Sequence, residues 1–438
     1  MLQLLFGATA RQGYFAAIDQ ALISLTNFLA TVIVARYATP TDLGVYAVGF
    51  SALTLMRNTI EGLVIQPLNV YGAGMAEDEF AAYASSTGVI QLTLAGITAL
   101  VSAGGGWLLT GMGNDVAGPA LFSLWFVLSF WQMQEFVRRL LYTRRRVLAA
   151  MTNTLLGSLT RLGLLLWWGK EASLNGVRGL EAIGWGALIA LLSGLWANRK
   201  VWRLRGLTPR RTWQRNWDFG RWMMGSTLAN WVSVEFYPVL TAGMVSFAAA
   251  GAYRALQNLV APIHALLRAT DTFLTPRAAE EFQRKGIPAL RRILRLIYLF
   301  NGLPVLVMLG FALLFPRQVL GLLYGETYAD YSQGVILMAT FYALWFAYWP
   351  LQTVLKACRH SKPIFIANLI AIILMLTLGL LAILRWGVYG TIGGQILNAL
   401  AVNGVLWFAW RRLQRVIPHA TSVAAGAPSS LASSDNKT

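Results

Sequence analysis

Residues 36–67, RYATPTDLGVYAVGFSALTLMRNTIEGLVIQP, indicate a membrane-spanning helix that is entered through a short turn. Arg57 and Glu61 are four residues apart in this helix, so they share one face of it, well beyond its first turn. In hydrocarbon, each charge costs about 2.5–3.5 kcal/mol on insertion scales. Such a pair is retained only where it faces a water-filled cavity or a partner.

The same design recurs in the second half of the chain. The tripeptide GVY at 44–46 is echoed by GAY at 251–253, and the charged pair is echoed at the same separation by His264 and Arg268. A duplicated spanning helix with an ionisable face is typical of a transporter that is built from two matching halves.

Composition places the whole chain in a membrane. Hydrophobic residues make up 56% and charged residues 12% of the 438 residues, whereas a soluble domain carries about 25% charged residues. The mean hydropathy is +0.55. Apolar runs of about 20 residues recur along almost all of the sequence, as a bundle of spanning helices requires. The single cysteine, Cys358, excludes an intrachain disulfide and a cysteine metal cluster.

The fold class predicted from these runs is all-α: a polytopic membrane protein with 12 transmembrane helices in two six-helix lobes. The expected spans are 14–36, 43–68, 83–110, 116–141, 147–168, 179–198, 220–246, 251–276, 289–315, 331–355, 363–384 and 388–410. The predicted organisation is an N-terminal lobe at 1–200, a cytoplasmic amphipathic linker at 201–219, a C-terminal lobe at 220–415 and a disordered cytoplasmic tail at 416–438.

The formal net charge of +18 reflects topology and not nucleic-acid binding. Most of the 36 Lys and Arg residues fall in the loops that share a side with the N-terminus. This bias predicts that both termini are cytoplasmic and that the basic loops face anionic lipid. The linker interleaves Trp202, Trp213 and Trp217 with arginines, a pattern that is typical of a helix at headgroup depth.

Residues 13–53, GYFAAIDQALISLTNFLATVIVARYATPTDLGVYAVGFSAL, resemble the opening of bacterial polysaccharide-transport proteins. These belong to the multidrug/oligosaccharidyl-lipid/polysaccharide (MOP) flippase superfamily. The segment FLTPR at 273–277 is similar to the proline-terminated eighth helix of that group. The resemblance implies two lobes around a central cationic cavity that opens alternately to each side of the bacterial cytoplasmic (inner) membrane.

The same resemblance implies a flippase. Its substrate would be polyprenyl-diphosphate-linked oligosaccharide, moved from the cytoplasmic to the periplasmic leaflet for the biosynthesis of O-antigen, capsule or exopolysaccharide. The lipid bilayer and the polysaccharide polymerase or export machinery are the partners it implies; no nucleic acid, cofactor, metal or catalytic residue is expected.

Ionisable residues within the spans are the candidate site. Guanidinium groups suit a diphosphate because they stay ionised and donate in a fork, and buried carboxylates suit ion coupling. The expected substrate-binding residues are Arg57, Arg268, Arg254, Arg161 and His264. The expected ion-coupling residues are Glu235, Glu61, Asp271 and Asp19. The alternative is that these groups form interhelical ion pairs that only fix the packing.

Two rival functions remain at this stage. A multidrug/cation antiporter of the same superfamily would prefer a cavity lined by carboxylates and aromatic rings. A membrane-embedded glycan polymerase or ligase would need a sizeable outer domain or a cluster of acids and bases, and the outer loops are short. No phosphate-binding glycine loop is present, so an ion gradient or lipid flux would have to drive transport.

Overall fold

The computed structural model describes residues 8–72, 74–203, 206–358, 360 and 362–416, with some helical side chains excepted, and this part of the chain is helical without a strand. The first half contains α1 (Ala8–Tyr37), α2 (Pro40–Ile60), a π-helical turn (Glu61–Ile65), α3 (Gln66–Gly72), α4 (Glu77–Gly111), α5 (Ala117–Thr143), α6 (Val147–Lys170) and α7 (Gly176–Ala197).

The second half repeats this order. It contains α8 (Pro209–Glu235), α9 (Tyr237–Met244), α10 (Phe247–Leu259), α11 (Ala261–Leu314), α12 (Pro316–Tyr324), α13 (Glu326–Ala329), α14 (Ser332–Ala357), α15 (Lys362–Leu374), a second π-helical turn (Met375–Gly379) and α16 (Leu380–Val416). The described parts of the two halves together form the predicted all-α membrane fold, and their helices are consistent with twelve spanning segments in two six-helix lobes.

Several predicted spans consist of more than one helix. The second span is α2, the π-helical turn and α3, and the eighth is α10 followed by the first part of α11. Gly286 has a φ of 64° and separates the eighth span from the ninth. Hydropathy alone predicted a longer gap between these two spans, from 276 to 289. Gly387 has a φ of 56° and separates the eleventh span from the twelfth within α16. Glycine adopts this left-handed conformation without the steric penalty that a Cβ brings.

Length and composition mark six helices of the described chain as able to cross a membrane. Their outward faces carry large apolar side chains; Leu100 is 74% exposed, Trp107 72% and Phe300 75%. A continuous exposed apolar surface of this kind is stable only against lipid. Several of the helices that fail this test, such as α2 and α8, hold polar groups of the candidate site.

The start of α2 is fixed by a capping box. Thr39 Oγ1 accepts a hydrogen bond from the Asp42 amide at 3.2 Å, and Asp42 Oδ2 accepts one from the Thr39 amide at 3.1 Å. Pro40 occupies the first turn, where its missing N–H is no loss. Asp42 Oδ1 also accepts from the Gly176 amide at 2.9 Å, which ties the start of α7 to that of α2.

The repeated glycines lie where the two halves meet. We call the end of the bundle at which α2 and α10 begin the outer end, following the charge distribution. A Cβ at Gly44 would overlap the carbonyl oxygen of Phe247, and a Cβ at Gly251 would overlap that of Pro40. The two helices therefore cross with their backbones in direct contact, which explains why glycine occurs in both repeats.

Polar contacts join the halves above and below this crossing. At the outer end, Arg36 donates from Nε to the Leu323 carbonyl at 3.0 Å and also bonds the Leu322 carbonyl. Further in, α8 runs along α2, and Trp231 Nε1 donates to Thr54 Oγ1 at 2.9 Å. Arg36 therefore joins the end of the first span to the second half of the chain.

The linker predicted at 201–219 is not a separate element. Helix α8 begins at Pro209 and continues through Glu235, so its first residues belong to the same helix as the seventh span. Trp202 packs at 6.4 Å from the ring of Phe136, and the rings of Trp213 and Trp217 are 5.6 Å apart. The tail predicted at 416–438 lies outside the described residues from 417 onward.

Candidate functional site

The first lobe contains a cavity of about 140 Å³ between α1, α2, α5, α6 and α7. Apolar residues such as Phe50 and Trp131 form part of its wall. The polar part of the lining consists of Thr26, Asn27, Thr54, Arg57, Gln134, Glu135, Arg138, Asn153, Thr154, Ser158 and Arg161. Three guanidinium groups and one carboxylate therefore face this space; we call it the N-lobe cavity.

Arg161 is the most isolated of these guanidinium groups. It is 8% exposed, its Nη1 donates to Asn27 Oδ1 at 2.8 Å, and its Nη2 donates to the Tyr46 hydroxyl. Both acceptors are neutral, and its Nε has no partner among the described groups. A buried charge is stable only when it is paired or well solvated. Arg161 thus brings an unneutralised positive charge to the cavity.

Arg138, by contrast, is the centre of a compensated network. Its Nη1 lies 2.8 Å from Asp19 Oδ2 and its Nη2 lies 2.7 Å from Glu135 Oε2. Arg139 Nε lies 2.9 Å from Glu135 Oε1, and its Nη2 lies 3.6 Å from Glu61 Oε2. Three carboxylates and two guanidinium groups alternate through this network, and it joins α1, the turn after α2, and α5.

The second lobe contains a cavity at the equivalent place, between α8, α11, α14, α15 and α16. It also has a volume of about 140 Å³, and we call it the C-lobe cavity. Its lining consists of Ser233, Glu235, His264, Phe341, Trp345, Tyr348, Trp349, Gln352, Asn368, Ala371, Gln395, Asn398, Ala399 and Val402. Aromatic rings and amides dominate here, with one carboxylate.

His264 is held by its aromatic neighbours in this cavity. Its Nε2 lies 2.6 Å from the Tyr342 hydroxyl, and its ring centroid lies 4.3 Å from that of Trp345. Nearby, Gln395 Oε1, Asn398 Oδ1 and Trp349 Nε1 are buried without a partner among the described groups. Buried polar atoms normally have a partner, so the C-lobe cavity can accept a polar ligand or water.

The two cavities are related by the internal repeat. At the separation that carries Arg57 to His264, Glu135 corresponds to Tyr342 and Arg138 to Trp345. By the same rule, Arg161 corresponds to Asn368. The charged cluster of the first lobe is thus replaced by a histidine–tyrosine–tryptophan cluster in the second.

The structure distributes the predicted substrate-binding residues between the lobes. Arg57 and Arg161 line the N-lobe cavity, and His264 lines the C-lobe cavity. Arg254 lies between the lobes: its guanidinium group is 4.8 Å from the ring centroid of Phe50, and its Nη1 donates to Gln257 Oε1 at 2.9 Å. The side chain of Arg268 lies outside the described part of the structure.

The predicted ion-coupling residues separate in the same way. Glu235 lines the C-lobe cavity. Asp19, which is 1% exposed, and Glu61 both belong to the network around Arg138 and Arg139. Glu61 also accepts from Gln66 Nε2 at 2.9 Å. The side chain of Asp271 lies outside the described part of the structure.

Sequence reasoning missed Glu135 and misplaced Arg138 and Arg139. Both arginines lie at the inner end of the predicted span 116–141, where topology alone accounts for positive charge, yet Arg138 is 6% exposed. The signal was present in the spacing: Glu135 precedes them by three and four residues, so all three share one helix face.

None of the protein-family models and none of the curated proteins matches this chain. Solved structures do match it over nearly the whole length. An inward-facing multidrug-resistance MATE transporter of the MOP superfamily aligns with a TM-score of 0.72 at 15% identity, covering 92% of this chain and 99% of that one. An outward-facing MATE transporter of the same superfamily aligns with a TM-score of 0.64 at 16% identity, covering 94% and 98%.

A third match is a MOP superfamily transporter from Pyrococcus furiosus whose binding pocket is described as having reverse polarity. It aligns with a TM-score of 0.64 at 16% identity, covering 94% of this chain and 97% of that one. At these identities the similarity establishes the fold alone. The chain therefore has the two-lobed helical fold of MOP superfamily transporters.

Proposed function

We propose that this protein is a transporter of the bacterial inner membrane, and not an enzyme, that moves polyprenyl-diphosphate-linked oligosaccharide from the cytoplasmic to the periplasmic leaflet by alternating access. The observation that carries the proposal is the lining of the N-lobe cavity. Arg57, Arg138 and Arg161 face it, and Arg161 bonds only neutral acceptors among the described groups. A cavity with excess positive charge favours an anionic headgroup.

The chemistry of the guanidinium group fits a diphosphate. It remains ionised at every relevant pH and donates two parallel hydrogen bonds to phosphate oxygens. Amides such as Asn27 and Gln134 line the same cavity and can bond sugar hydroxyls. The membrane potential assists the outward step, since each negative charge that leaves a negative interior gains about 2.3 kcal/mol per 100 mV.

Transport in proteoliposomes tests the proposal directly. We expect purified protein to move a fluorescent polyprenyl-diphosphate oligosaccharide between leaflets, and Arg57→Gln or Arg161→Gln to lower the rate at least about tenfold, the value of one charge-assisted contact. Arg317→Gln is the matched control, because it removes the same charge from an exposed position on the outer surface. Equal rates in all three variants would refute the site.

A second function is favoured by the C-lobe cavity. Its aromatic rings, including Trp345, Tyr348 and Trp349, surround a space that also contains the Glu235 carboxylate. Aromatic faces and a carboxylate attract organic cations, so ion-coupled export of such cations is the rival proposal. Efflux of ethidium driven by a proton or sodium gradient, and lost in Glu235→Gln, would favour it over the flippase.

A further inference from the structure

A basic cleft lies on the membrane-facing side of the second lobe, away from both cavities. It has a volume of about 390 Å³ and is lined by Pro288, Arg291, Arg292, Arg295, Leu296 and Leu299. These residues follow the break at Gly286, in the first turns of the ninth span. All six side chains are exposed.

Three of the lining residues are arginines on one helix face. Arg295 lies four residues after Arg291 and three after Arg292, so its guanidinium group is a neighbour of both on the helix surface. None of them forms an ion pair with a side chain that the structure describes. Three neighbouring like charges repel each other, and an anionic ligand would relieve that repulsion.

The apolar surface above the arginines gives their depth. Leu299 is 72% exposed, and Leu303 and Leu306 are each 69% exposed on the same face. This stripe is the lipid-facing side of a spanning helix, since water would not tolerate it. The arginines lie one to two turns before it, which is the level at which lipid phosphates meet the hydrocarbon.

We propose that this cleft binds the headgroup of an anionic phospholipid, with its acyl chains along Leu299 and Leu303. The guanidinium groups match phosphate oxygens in charge and in geometry, and the apolar stripe continues from the cleft in the direction that acyl chains take. A soluble phosphate would contact the charges alone, whereas a lipid headgroup at this depth also places acyl chains beside the stripe. The proposal is independent of the transported substrate.

The chain contains a matched control. Arg411, Arg412 and Arg415 repeat the spacing of the cleft arginines, are exposed, and also adjoin an exposed apolar side chain, Phe408, which is 70% exposed. They lie in the last turns of α16, where helix carbonyl groups stabilise positive charge. They lie outside the basic cleft of the ninth span, so they serve as a set of equal charge at another place.

The test measures lipid selectivity in nanodiscs of phosphatidylcholine that contain spin-labelled phosphatidylglycerol or spin-labelled phosphatidylcholine. We expect the wild-type protein to immobilise phosphatidylglycerol preferentially. The Arg291→Gln, Arg292→Gln, Arg295→Gln variant should lose at least about fivefold in this preference, the effect of one basic residue near an anionic surface. The Arg411→Gln, Arg412→Gln, Arg415→Gln variant should retain it.

Two further arms keep the result decisive. The Arg291→Lys, Arg292→Lys, Arg295→Lys variant preserves charge and should keep most of the preference, which separates headgroup binding from misfolding. Inorganic phosphate, compared with chloride at equal ionic strength, should not compete. An equal loss in both glutamine variants, an unchanged preference in the cleft variant, or displacement by phosphate would each overturn the proposal.

Discussion

Two buried arginines line the same cavity, but one is paired with carboxylates and the other bonds neutral groups. Arg138 lies between the carboxylates of Asp19 and Glu135, whereas Arg161 bonds the neutral groups of Asn27 and Tyr46. Removing one member of a buried ion pair leaves an unpaired charge behind, and removing Arg161 does not. We therefore propose that the first arginine stabilises the fold and that the second binds the ligand.

At this scale, the variants Arg138→Met and Arg161→Met are expected to differ in a measurable way. Arg138→Met should lower the free energy of unfolding by about 3–5 kcal/mol, because it leaves the buried Asp19 carboxylate without its ion-pair partner and Glu135 with Arg139 alone. Arg161→Met should lower it by about 1–3 kcal/mol, the effect of unmade hydrogen bonds, while abolishing transport. Thermal unfolding in detergent, combined with the transport assay, measures both effects.

A triple variant is the control for this comparison. In Asp19→Asn, Glu135→Gln, Arg138→Met no buried charge of this group is left unpaired, so its unfolding temperature should recover toward that of the wild-type protein. If Arg138→Met alone is as stable as the wild-type protein, the network does not have the structural role given to it.

The sequence could identify some of these residues and not others. Arg57 and Arg161 lie well inside predicted apolar spans, so hydropathy alone marks their charge as unusual. Arg138 lies at the end of a span, where positive charge is expected on topological grounds, and only the fold shows that Asp19 reaches it across 119 residues. Hydropathy reports the depth of a residue in the membrane but not its neighbours on other helices.

At the scale of elements, the crossing of α2 and α10 controls the outer end of the molecule. Gly44 and Gly251 allow the two backbones to touch, and Arg36 bonds carbonyl groups of α12 beside them. Phe50 lies two turns below the crossing and forms part of the wall of the N-lobe cavity. The crossing therefore lies on the outer side of that cavity, and we expect it to close the outer route.

A larger side chain in the crossing should open this route. Gly44→Leu places its side chain against the Phe247 backbone, and overpacking of this kind costs about 1–3 kcal/mol. The closed form would lose that energy, so the open population should rise about fivefold or more. The measurement uses a Phe50→Cys, Cys358→Ala background, in which an impermeant maleimide added from the outer side labels the introduced thiol.

Gly96→Leu is the control for this experiment. Gly96 also lies in a spanning helix, but a Cβ at that position meets nothing within 4 Å. Labelling of the introduced thiol should be unchanged in this variant. Equal labelling in the Gly44→Leu and Gly96→Leu variants would contradict the closing role of the crossing.

The repeated tripeptide indicated which helices are equivalent but not how they meet. The glycines were recognised as part of a duplicated pattern; their contact with the opposite helix needs the three-dimensional arrangement of both halves. The breaks at Gly286 and Gly387 were hidden for a related reason. Each glycine joins two spans with no intervening loop. The hydropathy falls at these positions, but it does not show that the chain changes direction sharply there.

At the scale of the whole molecule, the orientation in the membrane can be tested with Cys358, the single cysteine of the chain. Cys358 directly follows α14 and is partly buried, and the charge distribution predicts that this end of the helix is cytoplasmic. Burial raises the pKa of the Cys358 thiol to about 11. At neutral pH the thiol is therefore protonated and reacts slowly.

Labelling by an impermeant maleimide should reflect both the cytoplasmic position and the raised pKa of Cys358. We expect Cys358 to react in inside-out vesicles and not in intact spheroplasts. Its rate should rise about tenfold for each pH unit from 7 toward its pKa, because only the thiolate reacts. Asp115→Cys in a Cys358→Ala background, in the exposed turn between α4 and α5, should show the reverse sidedness. Labelling of Cys358 from outside would invert the topology.

The number and order of spans were predictable for the whole molecule because the hydrocarbon core imposes a minimum length on every apolar run. The lining of the cavities was less predictable. It depends on rotation and tilt of each helix against its neighbours, which packing decides and hydropathy does not.

The two halves share the glycine crossing but differ in the residues that line their cavities. The repeat has therefore kept the helix packing while the polar lining has diverged. Because Gly44 meets the second half as Gly251 meets the first, the crossing needs both glycines, and a larger residue at either position would disturb the contact. The linings carry no such mutual constraint: Glu135 and Arg138 have Tyr342 and Trp345 as their counterparts. The charge of each cavity can thus change independently of the other. We expect that ligand preference can change in one lobe while the crossing of α2 and α10 stays intact.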